Sequence, residues 1–187
     1  MNSDTRNGVF SLRSLLWLSF VVAAYFGGLV TTRLSLYQYI NHFNGRNGGG
    51  SFHFQGQNLA NADFSNSKMS DSCFDGADLR NADLSNSVAS CSSFHSCDLR
   101  GAELQCGVFA GANFTNADLR NARLDGSVLV GANFSGARIE GARLTSTTII
   151  GNSSTFDSTT TYDADTLFPE EFDPVACGLT FAKDTTN

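Results

Sequence analysis

Residues 112–144 read ANFTNADLRNARLDGSVLVGANFSGARIEGARL, and this stretch decides the fold because a large apolar side chain returns at every fifth position. The same step of five runs from residue 54 to residue 149, and all twenty positions are apolar. The side chain two places earlier is small in all but two cases, Phe52 and Gln57. A helix repeats at 3.6 residues and a strand at 2.0, so the chain must turn a corner every five residues.

A longer period of 20 residues lies inside the first, since every fourth central position carries the same kind of side chain. Four segments of five residues then make one turn of a square solenoid, in which central side chains fill the interior and stack between turns. About five turns result, roughly 24 Å tall at the ~4.8 Å spacing of hydrogen-bonded strands. The predicted core columns are Phe54, Phe74, Phe94, Phe114 and Phe134, and Leu59, Leu79, Leu99, Leu119 and Ile139.

The runs ADLRNADLSNS, GANFTNADLRNARLDG and GANFSGARIEGARL resemble the A(D/N)Lxx pattern of pentapeptide-repeat proteins. The resemblance covers residues 52–151 and implies an all-β fold, a right-handed quadrilateral β-helix. Most members of that family are non-catalytic, so the resemblance also implies that the chain is not an enzyme. Fold alone does not carry function.

The N-terminal segment predicts a membrane anchor. After a tail of residues 1–13, nineteen uncharged residues separate Arg13 from Arg33, and as a helix they would reach about 28 Å, enough for the hydrocarbon core of a bilayer. We therefore expect a transmembrane helix with its extension over residues 14–43, followed by a glycine-rich linker over 44–51. A cleaved signal peptide and a buried core helix are the rival interpretations. Two arginines stand on each side of the span, which leaves its orientation open.

The C-terminal tail, residues 152–187, is predicted to leave the five-residue register after Gly151 and to cap the solenoid with Phe168 and Phe172. Its segment YDADTLFPEEFDPVACG resembles an ending common in pentapeptide-repeat proteins of cyanobacteria and plastids, which implies photosynthetic ancestry. The tail also holds much of the net charge of −6. Such an acidic balance argues against nucleic acid as a partner.

Because side chains fill the interior, the sequence places any function of residues 52–151 on the outer walls. One wall carries a ladder of opposite charges, Asp78 with Arg80 and its equivalents one, two and three turns later. Another is apolar outside as well as inside, and we predict that a partner or the chain's own tail covers it. The two remaining walls are polar, and no chemistry is predicted for them. The predicted interface residues are Val88, Val108, Ala110, Val128, Val130 and Ile150.

No catalytic or metal-binding set stands out in the sequence. The three histidines do not fall at metal-ligand spacing, and no nucleophile motif or phosphate loop is present. No intrinsic cofactor is expected. His42, next to the predicted span, is a candidate ligand for a chlorophyll magnesium, and the span itself could make peripheral chlorophyll, carotenoid or lipid contacts. The five cysteines are expected to be free thiols, because no two are 20 residues apart.

Two classes of function follow. The first is a non-catalytic scaffold or accessory subunit with a single membrane span, whose β-helix stands on one aqueous face and docks on other subunits of a membrane complex. The family resemblance suggests a photosynthetic complex in a thylakoid membrane. The second class rests on the same resemblance, since some family members mimic DNA and bind a type II topoisomerase. A lumenal or periplasmic protein with a cleaved signal peptide is a further alternative.

Overall fold

The computed structural model describes residues 51–149 and 155–182. These residues form a four-walled β-helix in which each wall is built from parallel bridges between residues 20 apart, as from His53 to Cys73 and from Cys73 to Ser93. The predicted period of four segments to a turn is confirmed. Continuous strands are short: β1, Thr161–Tyr162, pairs in parallel with β2, Thr180–Phe181.

The corners explain why five residues make one wall. In the segment from Phe74 to Ala77, the amide of Ala77 donates to the carbonyl of Phe74 at 2.8 Å, and Gly76 between them has a φ of 65°. A positive φ at the third residue of a β-turn is the geometry of a type II turn. The amide of Gly76 donates in turn to the carbonyl of His95 at 2.9 Å. Each corner is therefore closed by a hydrogen bond within its own β-turn, and it also bonds to the next turn of the solenoid.

The core consists of stacked columns, as the sequence predicts. Phe74 lies on Phe94 with ring centroids 4.9 Å apart, Phe94 lies on Phe114 at 5.0 Å, and Phe114 lies on Phe134 at 5.1 Å. These rings and the leucines of the next wall are fully buried, whereas Leu59 at the N-terminal end is partly exposed. Small residues between the columns, mostly alanine and serine, are buried too and let the walls close.

The walls of the solenoid continue into the tail, whereas the five-residue register does not. Thr155 bridges to Asn133, Thr161 to Arg138 and Leu167 to Arg143, which adds three walls to the solenoid. Successive tail positions on these walls, 155, 161 and 167, are six residues apart instead of five. Hydroxyl groups help to bond the longer segments to the turn below: Thr160 and Thr166 donate to the carbonyls of Phe134 and Ile139 at 2.8 and 3.0 Å.

Aromatic rings cover the C-terminal end of the core. Phe156 continues the phenylalanine column, 4.8 Å from Phe134, and Phe172 meets Phe156 edge-on at 5.4 Å. Phe168 stacks on Phe172 at 4.9 Å. Phe168 and Phe172 thus pack on the end of the core, where the sequence places them.

Several predicted features lie outside the described residues. They are the tail 1–13, the helix and extension 14–43, nearly all of the linker 44–51, and the positions His42 and Ile150. Between residues 51 and 149 and between 155 and 182, no helix has the length and apolar character needed to cross a membrane.

Candidate protein-interaction faces

Each wall presents two columns of outward side chains. The leading column lies one position before the buried central residues in sequence, and the trailing column lies one position after them. We name the four walls by these columns. The polar face holds residues 53–55, 73–75, 93–95, 113–115 and 133–135; the ladder face holds 78–80, 98–100, 118–120 and 138–140; the mixed-charge face holds 63–65, 83–85, 103–105, 123–125 and 143–145; the apolar face holds 88–90, 108–110 and 128–130.

The apolar face brings together the predicted interface residues that the structure describes. Val88, Val108 and Val128 are bridged in one column, and Ala110 and Val130 belong to the column on the other side of the buried residues. All five are half-buried rather than inside the core. Lys68 bounds the valine column at one end. Within residues 51–149 and 155–182, the stripe is therefore accessible along about three turns.

The described tail does not build on the apolar face. Thr155 pairs with the polar face, Thr161 with the ladder face and Leu167 with the mixed-charge face. The aromatic residues of the tail lie on the end of the core. The sequence predicts that either a partner or the tail covers the stripe. Residues 155–182 of the tail form their backbone bridges on the other three walls.

The ladder face is a continuous network of ion pairs. Arg80, Arg100 and Arg120 each bind the aspartate two residues earlier with an N–O distance of 2.6 Å. Longer contacts link the turns: Arg80 Nε lies 3.6 Å from Asp98, and Arg100 Nε lies 3.8 Å from Asp118. This wall is close to neutral and carries its cations bound to its anions, unlike the acidic surface that a DNA mimic would need.

The arginines of the ladder face also set the titration of its carboxylates. The hydrogen bond from the Arg80 guanidinium lowers the pKa of Asp78. Burial would raise the pKa of Asp118, but the side-chain and backbone hydrogen bonds from Arg120 outweigh it and lower that pKa. The pKa of the Arg80 side chain is raised by its hydrogen bond to Asp78. The pairs therefore stay ionised over a wider pH range than isolated groups would.

The mixed-charge face changes sign halfway along the solenoid. Its leading column is acidic at Asp63, Asp83 and Glu103 and basic at Arg123 and Arg143. Both arginines turn to one carboxylate, that of Asp125, at 4.0 and 3.2 Å. Glu103 and Arg123 are bridged neighbours on adjacent turns. In the described part of the chain, however, they form no ion pair with each other.

The described residues contain no candidate metal centre and no disulfide. Within that part of the chain, no group of three or more His, Cys, Asp or Glu side chains could hold a metal ion. The predicted free thiols are confirmed for all five cysteines. Cys97 is buried and donates to the carbonyl of Phe74 at 2.8 Å, and burial raises the pKa of its thiol to about 12. Such a thiol is inert rather than nucleophilic.

A scan against family models finds pentapeptide repeats in eight copies, over residues 53–86, 74–105 and 108–145. The chain is a pentapeptide-repeat protein. The fold typical of this family is a right-handed β-helix, in agreement with the four-walled solenoid above. A search of curated protein sequences found no match.

Solved pentapeptide-repeat structures resemble the chain at low identity. HetL, involved in heterocyst differentiation regulation in the cyanobacterium Nostoc sp. strain PCC 7120, is 19% identical with a TM-score of 0.46, over 62% of each chain. A protein of the Arabidopsis thaliana thylakoid lumen is 25% identical with a TM-score of 0.32, over 59% of this chain and 66% of that one. QnrB1, a plasmid-mediated fluoroquinolone resistance protein, is 16% identical with a TM-score of 0.41, over 72% and 90%. The chain thus spans less than two thirds of the length of HetL.

In this pentapeptide-repeat protein the sequence located one candidate face and missed another. The apolar stripe was visible from the residues beside each fourth central position. The reversal of sign on the mixed-charge face is equally present in the residues at 20-residue spacing, although their polar character alone predicts no chemistry for that wall. The signal appears when one column is compared from turn to turn, with acid at residues 63, 83 and 103 and base at residues 123 and 143.

Proposed function

We propose that this pentapeptide-repeat protein is a non-catalytic, membrane-anchored scaffold or accessory subunit. Residues 14–43 anchor it, the β-helix stands at the membrane surface, and the apolar face docks on another subunit of a membrane protein complex. The ending of the tail favours a photosynthetic complex as the setting. Docking on a partner protein suits a solenoid whose interior is filled by its own side chains and whose walls are flat.

The main support for the docking role is a contrast in polarity. The outward side chains of the apolar face are mostly apolar, whereas those of the other three walls are mostly polar or charged. At the same outward positions, the polar face has Asn113 and Asn133 where the apolar face has Val108 and Val128 on the same two turns. Three bridged valines on a water-facing column are unusual, because contiguous apolar patches on soluble surfaces generally mark contact sites. Completing the burial of Val108 and Val128, which are already half-buried, would contribute about 1 kcal/mol each.

A pair of acidic substitutions tests the docking. We expect Val108→Asp with Val128→Asp to leave the β-helix folded, because both positions face outward, but to release the protein from its complex. The measurement is co-purification of subunits with the tagged full chain from native membranes in mild detergent. The matched control is Asn113→Asp with Asn133→Asp, which adds the same two charges on the same two turns of the polar face. Equal recovery of the partner with both double variants would remove the apolar face from the interaction.

The anchor is tested separately by carbonate extraction of the membranes. A spanning segment over residues 14–43 keeps the protein in the pellet, because a helix of that apolar length partitions into the bilayer. Release into the supernatant, together with a shortened N-terminus by mass spectrometry, would instead identify a cleaved signal peptide.

A further inference from the structure

We propose that the mixed-charge face is a self-association surface that pairs two copies of this chain in antiparallel orientation. The inference rests on the charges of this one wall and does not depend on the membrane partner. Its starting point is the leading column, in which acid occupies the first three turns and base the next two.

The acidic half of this column is poorly compensated within one chain. Asp63, Asp83 and Glu103 are bridged neighbours on successive turns, and like charges stacked in this way destabilise a sheet. On the ladder face the equivalent aspartates each bind an arginine at 2.6 Å. Here Asp63 accepts hydrogen bonds from Ser65, and Asp83 accepts one from the amide of Ser85. Among the described residues, no ion pair includes Asp63, Asp83 or Glu103, and a second copy can supply the missing cations.

The basic half is arranged to face outward. The side chains of Arg123 and Arg143 are each half exposed, at 50% of their accessible area. Each contacts Asp125 through its Nε atom, which leaves the terminal donors of both guanidinium groups available to an acceptor beyond the wall. Glu103 is likewise exposed. The charges on both sides of the sign change are therefore accessible to a partner.

Symmetry selects the antiparallel arrangement. When two identical walls meet face to face, the two-fold axis lies in the contact plane, either along the solenoid or along the strand direction. The first choice sets each turn against itself and exchanges the two outward columns, so the acidic residues would face Ser65, Ser85 and Gln105 of the other copy and gain no cation. The second choice places the axis between Glu103 and Arg123. The leading columns of the two copies then face each other, with their turns in opposite order. Glu103 then faces Arg123 of the other copy, and Asp83 faces Arg143.

The contact is small, which makes the association weak and dependent on salt. Five turns at ~4.8 Å and a wall about 10 Å wide give roughly 240 Å² per copy, below the ~1,000 Å² total of stable specific interfaces. The match also covers only the middle turns, because Asp63 falls opposite Leu167. Exposed ion pairs are screened at high ionic strength. A low-salt, concentrated sample is therefore the condition in which the pair forms.

The pairing has a structural consequence for the apolar face. The apolar wall follows the mixed-charge wall along the strand direction, and a rotation about that direction leaves it on the same side. Both copies then present their valine stripes side by side, on one surface twice as wide as that of a single chain.

Charge exchange between the two central positions tests the proposal. The proteins are full chains in detergent, and the measurement is sedimentation velocity at low and high salt. We expect the natural chain to form dimers that dissociate in high salt. Glu103→Arg alone and Arg123→Glu alone should each weaken self-association at least about tenfold, because like charges then meet across the axis.

Mixing the two single variants is the decisive experiment. Their charges are complementary to one another, so the mixture should form a heterodimer that neither variant forms by itself, and the exchange double variant should dimerise like the natural chain. Glu171→Arg, at an exposed position of the tail, is the control for the change in net charge and should dimerise normally. A natural chain that stays monomeric in low salt, or single variants that self-associate unchanged, would overturn the proposal.

Discussion

At the scale of single residues, the corners show how one side chain constrains the residue one turn above it. Asn116 and Gly136 occupy the same corner on adjacent turns, and both have positive φ, 59° and 70°. A Cβ on Gly136 would collide with the amide oxygen of Asn116, whereas a Cβ on Gly76 of the same corner column would meet nothing within 4 Å. Glycine is thus favoured at residue 136 by both the backbone conformation and the lack of space, and at residue 76 by the backbone conformation alone.

This difference predicts unequal costs for the same substitution. Gly76→Ala should cost about 1 to 2 kcal/mol, the penalty of a left-handed backbone for an L-residue. Gly136→Ala should cost about 1 kcal/mol more, because the new methyl group must displace the Asn116 amide. Chemical denaturation of both variants measures the difference. In an Asn116→Gly background the extra cost should vanish, and an extra cost that persists would place its origin elsewhere.

At the scale of one wall, the ladder face couples three turns through ion pairs. Each aspartate contacts its own arginine closely, and two of them contact the arginine of the turn before at 3.6 and 3.8 Å. Exposed pairs of this kind contribute little singly. Their common effect is on the dependence of stability on pH, since Asp78 and Asp118 both have a lowered pKa.

The ladder predicts a loss of stability in acid. The folded pKa of Asp118 lies below the unfolded value of about 3.9, so the unfolded chain binds the proton first as the pH falls. The contribution is complete above that value and is lost as the pH falls through the folded pKa. Asp118→Asn should cost less than about 1 kcal/mol at pH 7 and should flatten the decline of the melting temperature between about pH 5 and pH 3. Asp165→Asn, in the exposed tail, is the comparison, and an equally flat curve for both would argue against the ladder.

At the scale of the whole molecule, the tail belongs to the solenoid rather than lying over it. Residues 155–167 continue three walls with six-residue steps, and β2 adds a further rung beside β1. The end of the core is then covered by Phe168 and Phe172, and Phe156 links this cover to the phenylalanine column. A solenoid needs such a cap because its last turn would otherwise expose an apolar cross-section.

Substitution of Phe156 tests whether the tail is structural. Phe156→Ala should destabilise the whole β-helix by about 2 kcal/mol or more, because it removes a ring stacked on Phe134 and half-buried against Phe172. Val175→Ala, at a tail position that is 71% exposed, should change stability by less than about 0.5 kcal/mol. Urea unfolding measures both. A Phe156→Ala variant as stable as the natural chain would mean that the tail is only an appendage.

Most of the fold could be predicted because each of its contacts repeats. The period of five places one side chain of each segment in the core, and the period of twenty stacks it on the equivalent side chain of the next turn. Every turn therefore indicates the same register. The position of Phe156 in the phenylalanine column could not be predicted in this way, because Phe156 lies 22 residues after Phe134 instead of 20. Its ring was visible in the sequence, but only the observed stacking shows that the column tolerates two extra residues before it.

The candidate faces divide in the same way. The sequence assigned each outward residue to its wall, so the valine stripe and the charge ladder were predictable. It could not say that Arg123 and Arg143 turn to Asp125 instead of Glu103, because several rotamers of an exposed arginine reach neighbouring carboxylates at nearly equal cost.

The residues alone thus determined the β-helix, its core columns and the composition of each wall, since strict periodicity leaves a single way to bury every fifth side chain. Only the tertiary structure decided where the tail runs, which wall it leaves open and how the charges of neighbouring turns pair. These features depend on packing and hydrogen bonds between positions whose separation follows no period.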